Sequence, residues 1–180
     1  QRFVENRKLE YQIEQSKKAA ENVVQPQPEQ QAVESESAPA PVSEEEFRWG
    51  SKEVVITSAR ILNDRNEITN IVETGKPMSI EIDYQINIPQ KEYIFGIGFY
   101  TADKSLIYGN NTEIGKLKLR DIPPDGTVRF RIKNMSLLTG TYKLNVAVVD
   151  GDHRALDFIK YYMDFSVVSN DKAVGVLSLD

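Results

Sequence analysis

The sequence predicts an all-β protein, an immunoglobulin-like antiparallel β-sandwich preceded by a disordered or partly helical N-terminal tail. After about Phe47, apolar and polar residues alternate with a period of two in several segments, as in strands with one buried face. Clusters of Gly, Pro, Asn and Asp separate these segments. No helical stripe of useful length follows residue 47, and many short strands at this spacing are typical of a sandwich.

The tail comprises residues 1–46. Residues 1–24 are rich in helix formers but have few apolar positions, so we expect a solvated, frayed helix or the end of a helix from a preceding domain. Residues 25–46 contain Pro, Gln, Glu and Ser with little to bury, which is typical of a flexible linker. We therefore expect residues 1–46 to end a preceding domain and link it to a β-sandwich over residues 47–180.

The strands are placed along the chain by their alternation. Residues 54–62 are β-prone but alternate imperfectly, which predicts a bulge. Trp49 precedes this segment, and we expect it to plug one end of the core. Clean alternation follows in residues 78–87, 128–133 and 142–149. Weaker strand candidates are residues 68–73, 106–109, 161–168 and 174–179.

Composition excludes several functions. The tail holds ten Glu against five Lys or Arg, so the rest of the chain carries 17 charges of each sign and suits nucleic acid poorly. The chain has no cysteine, which favours a reducing compartment, the cytoplasm. With one histidine and neither a P-loop motif nor a G-x-S-x-G motif, we expect no enzyme, no cofactor and no metal in this region.

Two polar groups are weaker candidates for ligand contact. Glu81 and Asp83 share one face of a strand, where a solvated surface is the expectation; if they act, they would accept hydrogen bonds from sugar hydroxyls. His153 lies in a polar turn, either as a surface residue or as a ligand contact at the edge of the sandwich.

Residues 93–112 are the most informative segment. Phe95, Ile97 and Phe99 form one strand face and are expected in the core. The opposite face then carries Gly96 and Gly98, which leave a shallow trough that ends at Tyr100. Glycine within a strand marks close approach of a ligand, of another backbone, or a bulge, and the sequence leaves these open.

An aromatic and amide cluster follows the trough. Tyr108, Asn110 and Asn111 offer a ring and two amides, which suit the apolar face and the hydroxyl rim of a sugar. Alternatively, the asparagines fix a turn through their own backbone. Near the end of the chain, Tyr161 and Tyr162 offer another ring, and alternation predicts that one of them faces inward.

Short motifs, in this order and spacing, resemble the C-terminal carbohydrate-binding domain of Wzt-type ATPases, the nucleotide-binding subunits of ABC transporters that export O-antigen polysaccharide. The motifs are RWGSKEV at 48–54, FGIGFY at 95–100, YGNNT at 108–112, LTGTY at 138–142 and DG at 150–151. The family's commoner Gly-Thr-Asn-Thr appears here as Gly-Asn-Asn-Thr, so a structural role for that motif would make it uninformative about sugar choice.

The resemblance implies a cytoplasmic β-sandwich, at the inner face of the inner membrane, that recognises the non-reducing end of a lipid-linked polysaccharide. It implies a homodimer whose last strand, residues 174–179, is exchanged, and a transmembrane exporter subunit reached through an ATPase domain. We expect the sugar to contact Tyr100, Tyr108, Asn110 and Asn111, with Asp83, Gln85, His153 and Tyr162 as secondary contacts. The alternatives are an immunoglobulin-like protein-interaction adaptor, which an upstream signal peptide would indicate, and a glycoside hydrolase domain, which turnover would indicate.

Overall fold

The computed structural model describes residues 47–170 and 172–178, so the predicted tail over residues 1–46 lies outside the described residues. Within them the chain forms strands joined by turns. The strands are β1 (Arg48–Trp49), β2 (Val54–Leu62), β3 (Ile71–Glu73), β4 (Met78–Ile86), β5 (Tyr93–Thr101), β6 (Leu106–Asn111), β7 (Asp125–Ile132), β8 (Gly140–Asp150) and β9 (Ala155–Val168).

The strands form two sheets. The larger sheet has the order β1-β9-β8-β5-β6, with β3 added to β9, and the smaller has the order β2-β4-β7. All pairings between strands are antiparallel except that of β3 with β9. The predicted all-β antiparallel sandwich is confirmed.

The core lies between the two sheets, as the alternation predicts. Phe95, Ile97 and Phe99 of β5 are buried, and they belong to the same apolar cluster as Ile80 and Ile82 of β4. Strand β2 carries the predicted bulge, between Ile56 and Ser58. Because β5 buries its odd-numbered residues, its glycines and Tyr100 lie on the outer face of the larger sheet.

The last segment differs from the prediction of a strand. Residues 172–178 make one isolated bridge, between Leu137 and Leu177. Two backbone hydrogen bonds, from Leu138 N to Val176 O (2.9 Å) and from Ser178 N to Ser136 O (2.7 Å), hold the segment against its own chain. The predicted strand over residues 174–179 contains Gly175 and is too short for its pattern to distinguish a strand from an extended segment.

A buried carboxylate on β9 holds the first residues of the sandwich, β1 and the start of β2, in place. Asp157 of β9 is fully buried and accepts hydrogen bonds from Arg48 Nη2 (2.7 Å), from Ile56 N (2.9 Å) and from Lys52 Nζ. Burial alone would raise the pKa of the Asp157 carboxyl, but these donors outweigh it and hold the pKa below its usual value. The motif at 48–54 therefore acts in folding.

The start of β8 forms a tyrosine corner, a known feature of immunoglobulin-like sandwiches. The buried Tyr142 hydroxyl donates to the carbonyl oxygen of Leu138, four residues upstream, at 2.8 Å. The motif at 138–142 therefore also has a structural role.

We expect Tyr142→Phe to lower the free energy of unfolding by about 1 kcal/mol, because the Leu138 carbonyl loses a buried partner. Urea unfolding, followed by the fluorescence of Trp49, measures this loss. Tyr108→Phe is the matched control, since the Tyr108 hydroxyl is exposed and its loss should change stability much less. Equal losses of unfolding free energy in the two variants would show that the tyrosine corner does not stabilise the fold.

Candidate functional site

A groove of about 320 Å³ lies on the outer face of the larger sheet, and we call it the sheet groove. Its floor is formed by residues with little or no exposed side chain: Gly96 and Gly98 of β5, and Asn145 and Ala147 of β8. Tyr100 and Phe158 stand at its sides. The register of the sheet explains this floor, because β5 pairs Gly96 with Ala147 and Gly98 with Asn145.

One row of residues crosses five strands on this face. Strand pairing places Trp49 beside Phe158, Phe158 beside Ala147, and Ala147 beside Gly96. Gly96 in turn pairs with Asn111 at the sheet edge. The row therefore runs from two rings, across a flat floor, to an amide.

The two floor glycines differ. A Cβ atom on Gly96 would meet Asn110 O and Asn111 Cβ at 3.6 Å, an ordinary contact, so the chain's own packing does not require glycine there. A Cβ atom on Gly98 would lie 3.3 Å from Cε2 of Tyr100, so the Tyr100 ring lies close over Gly98. The trough predicted from the sequence is open at Gly96 and partly covered at Gly98.

The Tyr100 side of the sheet groove is a cluster of rings and cations. The Tyr100 ring meets the Tyr161 ring edge-on, with centroids 5.6 Å apart. The ammonium groups of Lys104 and Lys143 lie 5.6 and 5.9 Å from the Tyr161 ring centroid. These contacts hold Tyr161 on the outer face.

The opposite side is an aromatic stack. The rings of Trp49 and Phe158 lie 4.4 Å apart and nearly parallel, at 12°. Lys160 Nζ lies 5.3 Å from the Trp49 ring centroid. Trp49 remains 38% exposed, so the prediction that it plugs the core is wrong. The two-residue strand β1 pairs it with β9 and turns it outward.

Asn145 is the polar group of the groove floor, and sequence reasoning missed it. It is only 3% exposed, and its Oδ1 accepts a hydrogen bond from Tyr161 N at 2.8 Å. Its Nδ2 is the one buried side-chain polar atom without a partner in the described part of the chain. The signal that could have found it is a lone Asn amid the apolar alternation of β8.

Three of the predicted residues line the sheet groove at the β6 edge: Asn110, Asn111 and His153. The side-chain Oδ1 of Asn111 accepts a hydrogen bond from Ile114 N at 2.7 Å, so this asparagine also fixes a turn, as the alternative interpretation held. The His153 side chain is 61% exposed, and its Nε2 lies 3.6 Å from a carboxylate oxygen of Glu113.

Tyr108 lies on the other side of the edge strand. It pairs with Phe99, and their ring centroids are 5.8 Å apart, which places Tyr108 on the core side of β6. Its hydroxyl accepts from Asn110 Nδ2 at 2.8 Å. The bulge in the pairing between Phe99 and Tyr100 separates Tyr108 from Tyr100, so the expectation that these two rings share one surface is wrong.

The remaining predicted residues are also away from the groove. Asp83 and Gln85 belong to β4 in the smaller sheet. Tyr162 faces inward, as alternation predicted for one of the pair, and its hydroxyl accepts from Ala59 N at 2.9 Å. Alternation within a strand does not reveal to which sheet that strand belongs, so the sequence does not separate Asp83 and Gln85 from the trough. Tyr162 belongs to the larger sheet but lies on its core side.

The outer face of the smaller sheet is an ion-pair network. Glu81 is only 7% exposed and binds Arg60 at 2.5 Å and Arg129, so the expected solvated face is wrong for this residue. Arg60 also pairs with Asp83, which accepts from Ser58 Oγ at 2.6 Å as well. The hydrogen bond from Arg60 is the main reason that the pKa of Asp83 is lowered from 3.8 to about 2.

This network predicts acid sensitivity. A carboxyl whose pKa is lower in the folded state stabilises the fold above its unfolded pKa, and this contribution is lost as the pH falls from about 3.8 to about 2. We expect wild type to lose about 2 kcal/mol more than Asp83→Asn across that range. Urea unfolding at several pH values measures the difference. Equal losses of unfolding free energy in the two proteins on acidification would contradict the prediction.

The described part of the chain holds neither a cluster of metal ligands nor a helix that could span a membrane. Within residues 47–170 and 172–178, no three His, Cys, Asp or Glu side chains lie close enough together to hold a metal ion. The described part of the chain has no helix that is long and apolar enough to cross a membrane.

The family model for the Wzt C-terminal domain matches residues 45–179. The chain belongs to the Wzt C-terminal domain family. The fold agrees with a crystal structure of the C-terminal domain of Wzt, with a TM-score of 0.68 at 18% identity, over 74% of this chain and 84% of that chain. The search of curated proteins found no match.

Two further solved structures are similar to this chain at lower scores. A β-glucuronidase from Parabacteroides merdae matches with a TM-score of 0.37 at 14% identity, over 64% of this chain and 14% of that chain. A CARDB domain from Pyrococcus furiosus matches with a TM-score of 0.35 at 15% identity, over 69% of this chain and 97% of that chain. Membership of the Wzt family suggests a carbohydrate-binding role in O-antigen transport.

Proposed function

We propose that this Wzt C-terminal domain binds the non-reducing end of a lipid-linked O-antigen polysaccharide and performs no chemistry on it. The domain would be the substrate-recognition part of an ABC exporter. The observation that carries the proposal is the sheet groove, in which an open glycine floor lies between aromatic rings.

The groove suits a saccharide for physical reasons. The flat floor at Gly96 and Ala147 lets a sugar ring approach the backbone closely. Phe158 and Tyr100 supply apolar surface for the C–H faces of the sugar, while Asn111 and His153 supply hydrogen-bonding groups at the rim. The rings and amides of the groove would discriminate between sugars by shape and by hydrogen bonding.

The wider setting of the domain is part of the proposal. Residues 1–46 would link it to an ATPase domain, which would contact the transmembrane exporter subunit at the cytoplasmic face of the inner membrane. The domain would act as a homodimer with residues 174–179 exchanged between protomers. Supporting the exchange, Val174 is fully exposed and Leu177 is half-exposed, so this apolar segment buries little surface on its own chain.

The test is calorimetric titration of residues 47–180 with O-polysaccharide from the strain that carries this chain. We expect saturable binding with one site per domain. Absence of binding by a protein that unfolds cooperatively would reject the proposal. Sedimentation of the same sample, with and without residues 174–180, tests the dimer independently.

A further inference from the structure

The orientation of the Asn145 amide is fixed by the backbone beside it. Tyr161 lies at a bulge opposite Asn145, with φ of 51°, and points its N–H at Oδ1 of Asn145. An N–H group requires an acceptor, so the oxygen must occupy that side of the amide and Nδ2 the other. The buried Nδ2, without a partner in the described residues, is therefore a genuine donor.

A buried donor without a partner costs about 1–3 kcal/mol, which a fold does not retain without a reason. The groove places Asn145 where a ligand could supply that partner, directly across from Gly98. A Cβ atom on Gly98 would lie 3.7 Å from Asn145 Cβ and 3.3 Å from the Tyr100 ring. The missing side chain at Gly98 thus leaves the Tyr100 ring close to Asn145, and outward rotation of that ring would uncover the amide.

Most side chains on the groove floor are apolar, and Lys143, two residues before Asn145 on β8, is already paired with Asp164 at 2.9 Å. Side chains that line the groove near the floor include Ile94, Ala147, Val149 and Phe158, while the amide and imidazole groups of Asn111 and His153 lie toward the β6 edge. A ligand group that fits the floor needs one hydrogen-bond acceptor and an apolar end. A hydroxyl would bring its own donor, and a carboxylate would lose hydration against these walls, so a neutral carbonyl fits best.

We propose that Asn145 Nδ2 donates a hydrogen bond to the carbonyl oxygen of an acetyl group on the polysaccharide, and that the apolar floor packs against its methyl group. This inference rests on the proposed function and names the substrate class, an acetylated glycan. The acetyl group is carried either on nitrogen, as in an N-acetylated amino sugar, or on oxygen, as an ester.

Selective deacetylation of the native O-polysaccharide tests the inference. Mild alkali removes O-acetyl esters alone, whereas hydrazine removes both O-acetyl and N-acetyl groups, and acetic anhydride restores the N-acetyl groups. We expect hydrazine treatment to weaken binding to residues 47–180 at least tenfold. Mild alkali has the same effect if the acetyl group is an ester, and N-acetylation restores binding if it is an amide. Unchanged binding after both treatments would overturn the acetyl inference and leave the proposed function intact, whereas no binding of untreated polysaccharide would reject both.

Asn145→Asp removes the donor but keeps an acceptor for Tyr161 N–H. We expect this variant to bind acetylated polysaccharide at least tenfold more weakly and the deacetylated form as wild type does. Gln85→Glu, an exposed amide-to-acid change on the smaller sheet, is the matched control and should bind as wild type. If Asn145→Asp does not fold, the side-chain amide resonance of Asn145 in wild type decides: a shift on addition of acetylated, but not deacetylated, polysaccharide supports the inference, and no shift overturns it.

Discussion

Gly96→Val is expected to weaken polysaccharide binding at least tenfold, which is 1.4 kcal/mol or more, while leaving the fold intact. A side chain at Gly96 would make ordinary contacts with Asn110 and Asn111, and a β-branched residue suits a strand. The added isopropyl group would stand on the open floor beside Ala147 and hold a sugar ring away from the pleat. Calorimetric titration and urea unfolding of the same preparation measure the two quantities.

Gln85→Val is the matched control for this variant. It adds the same β-branched side chain to the outer face of the smaller sheet, at an exposed position of β4. We expect Gln85→Val to bind as wild type. The reverse result, with loss of binding in Gln85→Val and none in Gly96→Val, would place the glycan on the smaller sheet and contradict the groove proposal.

The sequence predicts best those features of the fold that depend on residues close together along the chain. Alternation correctly assigned the core-facing residues of β4, β5, β7 and β8, because each strand must turn one face to the core. The turn between Thr101 and Leu106 and the bulge in β2 also follow from local sequence. These features depend on neighbours along the chain, which the sequence displays directly.

The candidate site was predicted only in part, because it is assembled across strands. Gly96, Gly98 and Tyr100 follow from one strand, but Asn145 and Phe158 join them through the register of two others, β8 and β9. No periodicity within a segment encodes that register. The outward turn of Trp49 is a similar case, since a two-residue strand has no pattern of its own.

Gly50→Val is expected to destabilise the domain by more than about 3 kcal/mol, the largest effect on stability that the structure predicts. Gly50 has φ of 130°, a conformation that residues with a Cβ atom rarely adopt. A Cβ atom there would lie 2.4 Å from the carbonyl oxygen of Leu156, which is backbone of β9 and cannot move aside cheaply. Moving it would also disturb Asp157 and its contact with Arg48.

Gly75→Ala separates strain from collision. Gly75 has φ of 80°, but a Cβ atom there would meet nothing within 4 Å, so we expect a loss of about 1 kcal/mol from backbone strain alone. If Gly50→Val lowered the free energy of unfolding no more than Gly75→Ala, the close approach of Gly50 to β9 would be refuted.

The stabilising role of Gly50 bears on how the family's motifs are interpreted. Gly50, Arg48 and Tyr142 lie in the motifs that resemble the Wzt C-terminal domain, yet their contacts stabilise the sandwich. Asn145, Ala147 and Phe158 of the sheet groove lie outside those motifs, so the proposed function predicts that sugar choice depends on them.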